Sequence, residues 1–466
     1  MRPIALWLLV VLGMPRVHGD GHPRAFFVHA DTDSVSVAGD SLRGLQEQED
    51  FFQYISGDVR VVHGPTQITA DQAIRNVTRR RTSFMRDAVL IDEGDTLRAD
   101  SLHYDEELEV GWAVGNVRLS DGEVVTLSPS GVHYVDEKRI EFPEGLLLQD
   151  STTTLIGQTG IYWVDNNVAD LGGMVEMESR DVKLIADSLT HYRDFSISLA
   201  RGSVRYQIGS DNDSTWVAGE RVEYNAEDSL SVIRGNPLLM HLEYDSLSID
   251  TLLIRAELFR MQDRSGSSHL NASKRVRVWN SSLAALADSM IYARSKDDTS
   301  QLIWLYGQPF IWMDDTQLTG DTMKVVMKDG AMDSLFIWGN AFIAQEDSLI
   351  KRINQVKGKN VVSTLQSDSV RIFRVGPNAE AVYFSKDEED QPDGALEASG
   401  DEIRMQFAGD SLQTLTFSTD VVGTRYPESA LPTGIGLEGL KWEPAQRPTK
   451  EELLRDFTTD LFRWEP

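Results

Sequence analysis

The chain has 466 residues, 41% of them hydrophobic, no cysteine, and a formal net charge of −28 from 45 Lys plus Arg against 73 Asp plus Glu. Without cysteine there are no disulfides, no thiol nucleophile, no thiolate metal site and no lipid anchor on an N-terminal cysteine. The acidic balance excludes the basic footprint that nucleic acid requires and disfavours an anionic lipid surface; its plain reading is solubility or a saline habitat.

In chain order, residues 1–19 read as a secretory signal peptide. Met1-Arg2 precedes an apolar run over residues 4–14, and Gly19 in Val17-His18-Gly19 is the expected cleavage point. The run is too short to span a bilayer. The mature chain is therefore expected in the periplasm, free or at the outer membrane.

From there a phrase recurs. Gly115-Asn116-Val117-Arg118-Leu119 has degraded copies beginning at Gly57, Gly145, Gly173, Gly202, Gly235, Gly307 and Gly339. Two wide gaps each hold a copy without its glycine, Asp87-Ala88-Val89-Leu90-Ile91 and Arg275-Val276-Arg277-Val278-Trp279. A regular period means stacked supersecondary units, none of which buries its apolar face alone.

Within each unit the pattern has period two, as in strands with one buried face. A second phrase, aligned on Leu102, Val132, Ile161, Leu189, Val222, Met290, Met323 and Ile403, has Tyr104, Tyr134, Trp163, Tyr224, Tyr292, Val325 and Met405 two residues later. In the first phrase Val59 with Val61, Val117 with Leu119, Val175 with Met177, and Val204 with Tyr206 share a face. Arg60, Arg118, Glu176 and Arg205 point the other way. Turns at Ser120-Asp121-Gly122, Asp136-Glu137-Lys138, Asp150-Ser151-Thr152 and Asp165-Asn166-Asn167 separate the strands. About two antiparallel strands of roughly ten residues per repeat, with glycines near mid-strand, predict a sheet bent along its middle around an apolar inner face.

Farther along, the outward positions become Leu238, Phe310 and Phe342, with Trp312 and Trp338 nearby. Either something covers the outer face there or the core thickens. Residues 263–273, rich in Ser and Gly, read as a loop and as a candidate division between repeats over 20–262 and 274–425. Residues 386–394 read as a second exposed loop. The proline-rich tail, 426–466, is of a different kind. Thr449 and Glu452 have capping-box spacing for a short helix near 450–458. Its Trp442, Phe457, Phe462 and Trp464 suit docking on a partner or folding back over an open sheet edge.

Catalytic motifs are missing: no Gly-x-Ser-x-Gly, no His-Glu-x-x-His, no phosphate-binding glycine loop. His103 and His133 fall in the outward column that elsewhere holds Glu223, Ile291, Lys324 and Arg404, and so read as solvated. The pairs Asp297-Asp298 and Asp314-Asp315 read as turns rather than glycosidase carboxylates. Neither an enzyme activity nor a cofactor nor a metal is expected.

A phrase Gly-Asn/Asp-Val-x-hydrophobic, a turn, then hydrophobic-x-Ala-Asp-x-hydrophobic resembles the OstA-like family, which includes the lipopolysaccharide-transport protein LptA and the N-terminal domain of LptD. Ile55-Ser56-Gly57-Asp58-Val59-Arg60-Val61 leading to Ile68-Thr69-Ala70-Asp71 carries the likeness most clearly, and Leu97-Arg98-Ala99-Asp100-Ser101-Leu102 repeats its second half. The resemblance implies an all-β, long antiparallel folded β-jellyroll, solenoid-like in its repeats, whose groove shields the acyl chains of a lipopolysaccharide or related glycolipid. It also implies that edge strands join inner-membrane and outer-membrane transport components, or further copies of the chain. The lining would then be Val59, Val61, Leu102, Tyr104, Val117, Leu119, Val132, Tyr134, Ile161, Trp163, Val204, Tyr206, Val222, Tyr224, Met290 and Tyr292. The array is more than twice the usual length of LptA, and no barrel follows as in LptD. Two readings from other classes stay open: a secreted β-solenoid enzyme acting on polysaccharide, and a structural surface protein with a closed dry core.

Overall fold

The structure, a computed structural model, describes residues 35–457 except 64, 93, 180–181, 209–214, 245–248, 265–266, 296–299, 329–330, 368–369 and 409–410. The signal-peptide reading of residues 1–19, the acidic pair Asp297-Asp298 and the aromatic residues Phe462 and Trp464 lie outside the described residues. The fold is all-β: antiparallel strands fill the described chain to Val422–Tyr426, and the single α-helix among the described residues is Lys450–Leu454. Two compact units divide at Val204/Arg205. Residues 263–264 and 267–273, where the sequence suggested a loop, lie instead in paired strands. Leu258–Arg264 pairs with Ser267–Trp279, and Phe259, Met261, Leu270 and Ala272 alternate into the core between its serines. Composition marked a loop there, but the period-two burial decides the structure. Residues 386–394 close more tightly than expected, between strands Ala379–Lys386 and Pro392–Gly400.

The long strands bend at mid-length, and the sequence phrase explains how. At six bends two consecutive residues take left-handed backbone: Gly57-Asp58, Gly115-Asn116, Gly173-Met174, Gly235-Asn236, Gly307-Gln308 and Gly339-Asn340. The strand register slips there, for example between Ser56 and Val59 and between Val114 and Val117. These are β-bulges that turn one strand into two segments. The glycine-less copies do the same with Arg86-Asp87 and Lys274-Arg275.

Glycine is required at the corner for a second reason. A Cβ on Gly57, Gly115, Gly202, Gly307 or Gly339 would overlap the carboxylate of Asp40, Asp100, Asp187, Asp288 or Asp321. Asp100 in turn accepts from Asn116 Nδ2 at 3.1 and 3.0 Å, and Asp321 from Asn340 Nδ2 at 3.2 and 3.1 Å. The Ala-Asp phrase of one strand and the Gly-Asn phrase of the next thus form one corner, a charge-assisted contact at a bend.

Each unit consequently has two leaves joined through its bent strands. In unit 1 one leaf runs from Val35–Ala38 through the 60–63 part of Asp50–His63 to the 182–186 part of Val182–Tyr192. The other runs from Ser41–Glu47 through residues 50–56 to residues 188–192. Unit 2 repeats the plan, with bends in Thr215–Asn225, Ser267–Trp279, Ala284–Ser295, Ala331–Asp347 and Arg352–Ser367. The inner faces of the two leaves form the core of each unit.

In unit 2 the outer face of one leaf is covered as well. Residues 427–457 run back over it. Leu437 is buried among Phe342, Ala344, Val382 and Phe384, with Leu431, Ile435 and Trp442 packed alongside. Gln317 binds the tail backbone through Glu443 N, at 2.8 Å, and Lys441 O. The helix Lys450–Leu454, capped by the Thr449 side chain accepting from Glu452 N, buries Leu453 against Leu238 and Leu253. The apolar outer positions Leu238 and Phe342 are therefore explained by a tail that folds back along the leaf.

Candidate functional site

The leaf interiors are the candidate site, and their side chains fall in registered rows. In unit 1 a continuous cross-strand row passes through Val61, Ile68, Leu90, Leu97, Leu119, Thr126, Leu148, Leu155, Met177 and Leu184. Every member is at most 8% exposed. The facing leaf carries Ile55, Ala73, Phe84, Leu102, Ala113 and Gly131 in one row. One position farther from the bend, the same leaf has Arg75, Thr82, Tyr104, Gly111, His133, Ile140, Tyr162, Ala169 and His191. The deep rows are almost wholly apolar, and the row toward the free ends is mixed.

This register places Val59, Val61, Leu102, Tyr104, Val117, Leu119 and Val204 inside, none above 8% exposure. Tyr206, Val222, Met290 and Tyr292 are likewise buried in unit 2, and Tyr224 is half-buried. Four residues are corrected. Val132, Tyr134, Ile161 and Trp163 occupy the opposite face, where Tyr134 and Trp163 both pair with Arg139 and Ile161 with Asp170. Arg139 stacks 4.1 Å from the Tyr134 ring, and Trp163 Nε1 donates to Asp170 at 3.0 Å.

The inward residues of those strands are Gly131 with His133 and Gly160 with Tyr162. The sequence misled because two glycines hold the column that Leu102 fills elsewhere, so the apolar alignment slid by one residue, which exchanges the two faces. Their missing side chains make room for neighbours: a Cβ on Gly131 would stand 3.5 Å from the Phe142 ring, and one on Gly160 would meet Leu146. Two residues before those glycines stand Pro129 and Gln158 instead of an aspartate, so the Ala-Asp phrase that marks the register elsewhere is missing there.

His133, expected in solvent, is therefore buried, and desolvation pushes its pKa down to about 4. His191 donates to or accepts from Ser198 Oγ at 3.0 Å, and burial lowers its pKa also. His103 does face outward, bridging Ser83 at 2.9 Å and Ser101 at 3.1 Å. Burial raises the Tyr104 pKa to about 12, so its hydroxyl stays neutral. His133 and Tyr104 are therefore neutral dipoles beside an apolar space at neutral pH. Among the described residues no group of His, Asp and Glu is arranged to hold a metal ion.

The side of unit 1 opposite the bend is closed by a polar link. Arg193, at the end of one leaf, donates through Nη2 to Asp121 at the end of the other at 3.3 Å, and through Nη1 to Tyr162 Oη at 3.3 Å. Desolvation opposes the Arg193 charge, but Tyr162 and Asp121 more than offset it and its pKa is raised. In unit 2 the interior holds a cavity of about 600 Å³ beside its last strands. No helix among the described residues is long and apolar enough to cross a membrane.

No family model and no curated protein matches the chain. Among solved structures it is similar to LptH, described as the LptA homologous periplasmic component of the conserved lipopolysaccharide transport device from Pseudomonas aeruginosa. That likeness has 12% identity, covers 30% of this chain and 82% of the other, and has a TM-score of 0.16.

Proposed function

We propose that the chain is a non-enzymatic carrier that shields the acyl chains of a glycolipid of the lipopolysaccharide class between its leaves, in the periplasm. The carrying observation is the layered interior: apolar rows near the bend, neutral polar groups such as Tyr104 and His133 farther out, and a charged link at the free side. Such layering matches an amphiphile whose chains lie deep and whose head remains near water. Each methylene taken from water is favoured by about 0.8 kcal/mol. Loading requires the leaves to part about their corners, with the Arg193–Asp121 link as the contact that breaks.

Edge strands supply the means of assembly. Among the described residues, Ser41–Glu47 pairs only with Asp50–His63, and Ser411–Ser418 only with Glu402–Ala408. Open edges of this kind pair with another chain's strand. The partners are accordingly transport components at either membrane, or a second copy.

The filled interior of unit 1 favours a second reading, a structural repeat protein with a permanently dry core. Lipid extraction and native mass spectrometry of the protein purified from its periplasm separate the two. Co-purifying or added glycolipid bound in stoichiometric amount supports the carrier. A chain that stays empty with added lipopolysaccharide, before and after Asp121→Ala breaks the link, supports the closed core. Leu102→Arg should abolish glycolipid uptake in a folded array under the carrier reading and unfold unit 1 under the other.

A further inference from the structure

The unit 2 cavity is lined by both leaves. Ile343 and Met313 come from one leaf, and Phe373, Met405 and Leu415 from the other. Its volume of about 600 Å³ falls within the range of roughly 300–1,000 Å³ typical of sites for one small ligand. At about 30 Å³ for a water-sized group, that is room for about 20 methylene-sized groups, one long chain rather than several.

Arg371 enters this lining from the inner face. Arg371 pairs across the strands with Phe407 and precedes Phe373 in the same inward column. Its Nη1 is buried and has no hydrogen-bond partner. Burial works against its charge and lowers its pKa, and Asp314 offsets this only in part. A buried guanidinium donor without an acceptor is costly, and one anionic or carbonyl oxygen would satisfy it. The lining also holds Asp314, Asp315, Glu346 and Asp347, and Lys386, which pairs with Asp347 at 2.9 Å. Those carboxylates oppose a multiply charged head more strongly than a single carboxylate, which is the anion that Arg371 can best offset.

We propose that this cavity is a binding site for one long-chain fatty acid, its chain against Phe373, Met405 and Ile343 and its carboxylate accepting from Arg371. The site rests on the unit 2 cavity alone and stands whether or not the array carries glycolipid. The test uses the full chain and a fluorescent C18 polyene fatty acid, displaced in turn by palmitate, hexadecanol and methyl palmitate. Palmitate should compete about tenfold to a hundredfold better than hexadecanol, the range expected for hydrogen bonds to a charged group. Arg371→Gln should remove that preference while hexadecanol binding and the melting temperature hold. Met405→Trp, filling the cavity, should weaken all three ligands together.

Equal competition by palmitate and hexadecanol on the unmodified chain overturns the proposal without any variant. So does an Arg371→Gln chain that keeps its palmitate preference, or failure of the fluorescent acid to bind. Glycolipid uptake measured on the same Arg371→Gln protein reads the carrier function separately, since that proposal requires no change there.

Discussion

Replacing Gly115 with Ala tests the corner that builds the fold. Gly115 has φ of +77° beside Asn116 at +47°. An alanine in the left-handed region costs about 1–2 kcal/mol. Its Cβ would also overlap the Asp100 carboxylate, which must move and give up its two bonds from Asn116 at 3.1 and 3.0 Å. At a solvent-exposed corner that loss adds about 1 kcal/mol. Together they predict about 2–3 kcal/mol, or opening about 30- to 150-fold more often, in strands Asp95–Asp105 and Val110–Ser120. Hydrogen exchange followed by mass spectrometry on the full chain reads this peptide by peptide. Gly122→Ala is the matched control: φ is +88° but nothing lies within 4 Å of the new Cβ, so only the same backbone cost of about 1–2 kcal/mol applies. Equal effects at Gly115 and Gly122 would refute the idea that the Asp–Gly contact, rather than backbone conformation alone, defines the bend.

The same logic reverses at a corner that lacks glycine. Arg86 sits at φ +63°, so Arg86→Gly should be neutral or stabilise by up to about 1 kcal/mol, whereas Arg118→Gly in regular strand should destabilise by about 0.5–1 kcal/mol; thermal melts compare them. His133 gives a pH signature. Its folded pKa of about 4 lies below the ordinary 6.5, so the unfolded chain binds more protons between those values. The contribution is fully present above about pH 6.5 and is lost as pH falls toward 4, by about 3 kcal/mol at most. His133→Leu should flatten the fall in melting temperature over that window, and an unchanged slope would place the imidazole in solvent. Finally, the cysteine-free chain permits Asp121→Cys with Arg193→Cys, joined by a short bismaleimide. Under the carrier reading the bridged protein melts higher and loses glycolipid uptake; uptake that survives bridging means the leaves do not part on that side.

The architecture was legible because its two signals are local. Alternation is a property of single strands, and the Gly-Asn and Ala-Asp phrases mark the residues that meet at a corner. Even the glycine-less copies beginning at Asp87 and Arg275 were found by spacing, and each starts at a left-handed pair, Arg86-Asp87 and Lys274-Arg275. What failed was register where packing is non-local. Gly131 and Gly160 are inward because Phe142 and Leu146, from neighbouring segments, occupy their space. No propensity at Val132 or Ile161 reveals that exchange. The pairing of Leu258–Arg264 with Ser267–Trp279 was hidden by its serines, though Phe259, Met261, Leu270 and Ala272 kept the buried period. Closure of the free side by Arg193 and Asp121, 72 residues apart in sequence, and the cavity at Arg371 depend on how leaves meet, which no local pattern encodes.

The tail shows how an anomaly in one segment is resolved by another. Leu238 and Phe342 occupy outward positions and would be exposed on a bare leaf, a large apolar strip of the kind that promotes association. Residues 427–457 cover them at two anchors, Leu437 and Leu453, of which Leu453 is 0% exposed. Arg255 reinforces the second anchor by donating to Leu453 O at 3.1 Å and pairing with Asp456, while Arg277 pairs with Glu452 at 3.4 Å. Burying one leucine is worth about 1.5–3 kcal/mol, enough to hold a five-residue helix that would not persist alone. Leu453→Asp should therefore release the helix while the Leu437 anchor stays seated, since the two are separated by the contacts of Gln317. Brief digestion with a glutamate-specific protease would show new cleavage after Glu451 and Glu452 but none after Glu428 or Glu438, and Leu437→Asp would invert the order, freeing the earlier stretch first. Digestion of the unmodified tail at the same rate as the variants would mean that it does not shield the leaf. In that case the exposed strip over Leu238 and Phe342, and not the leaf edges alone, becomes the surface on which a second chain would assemble.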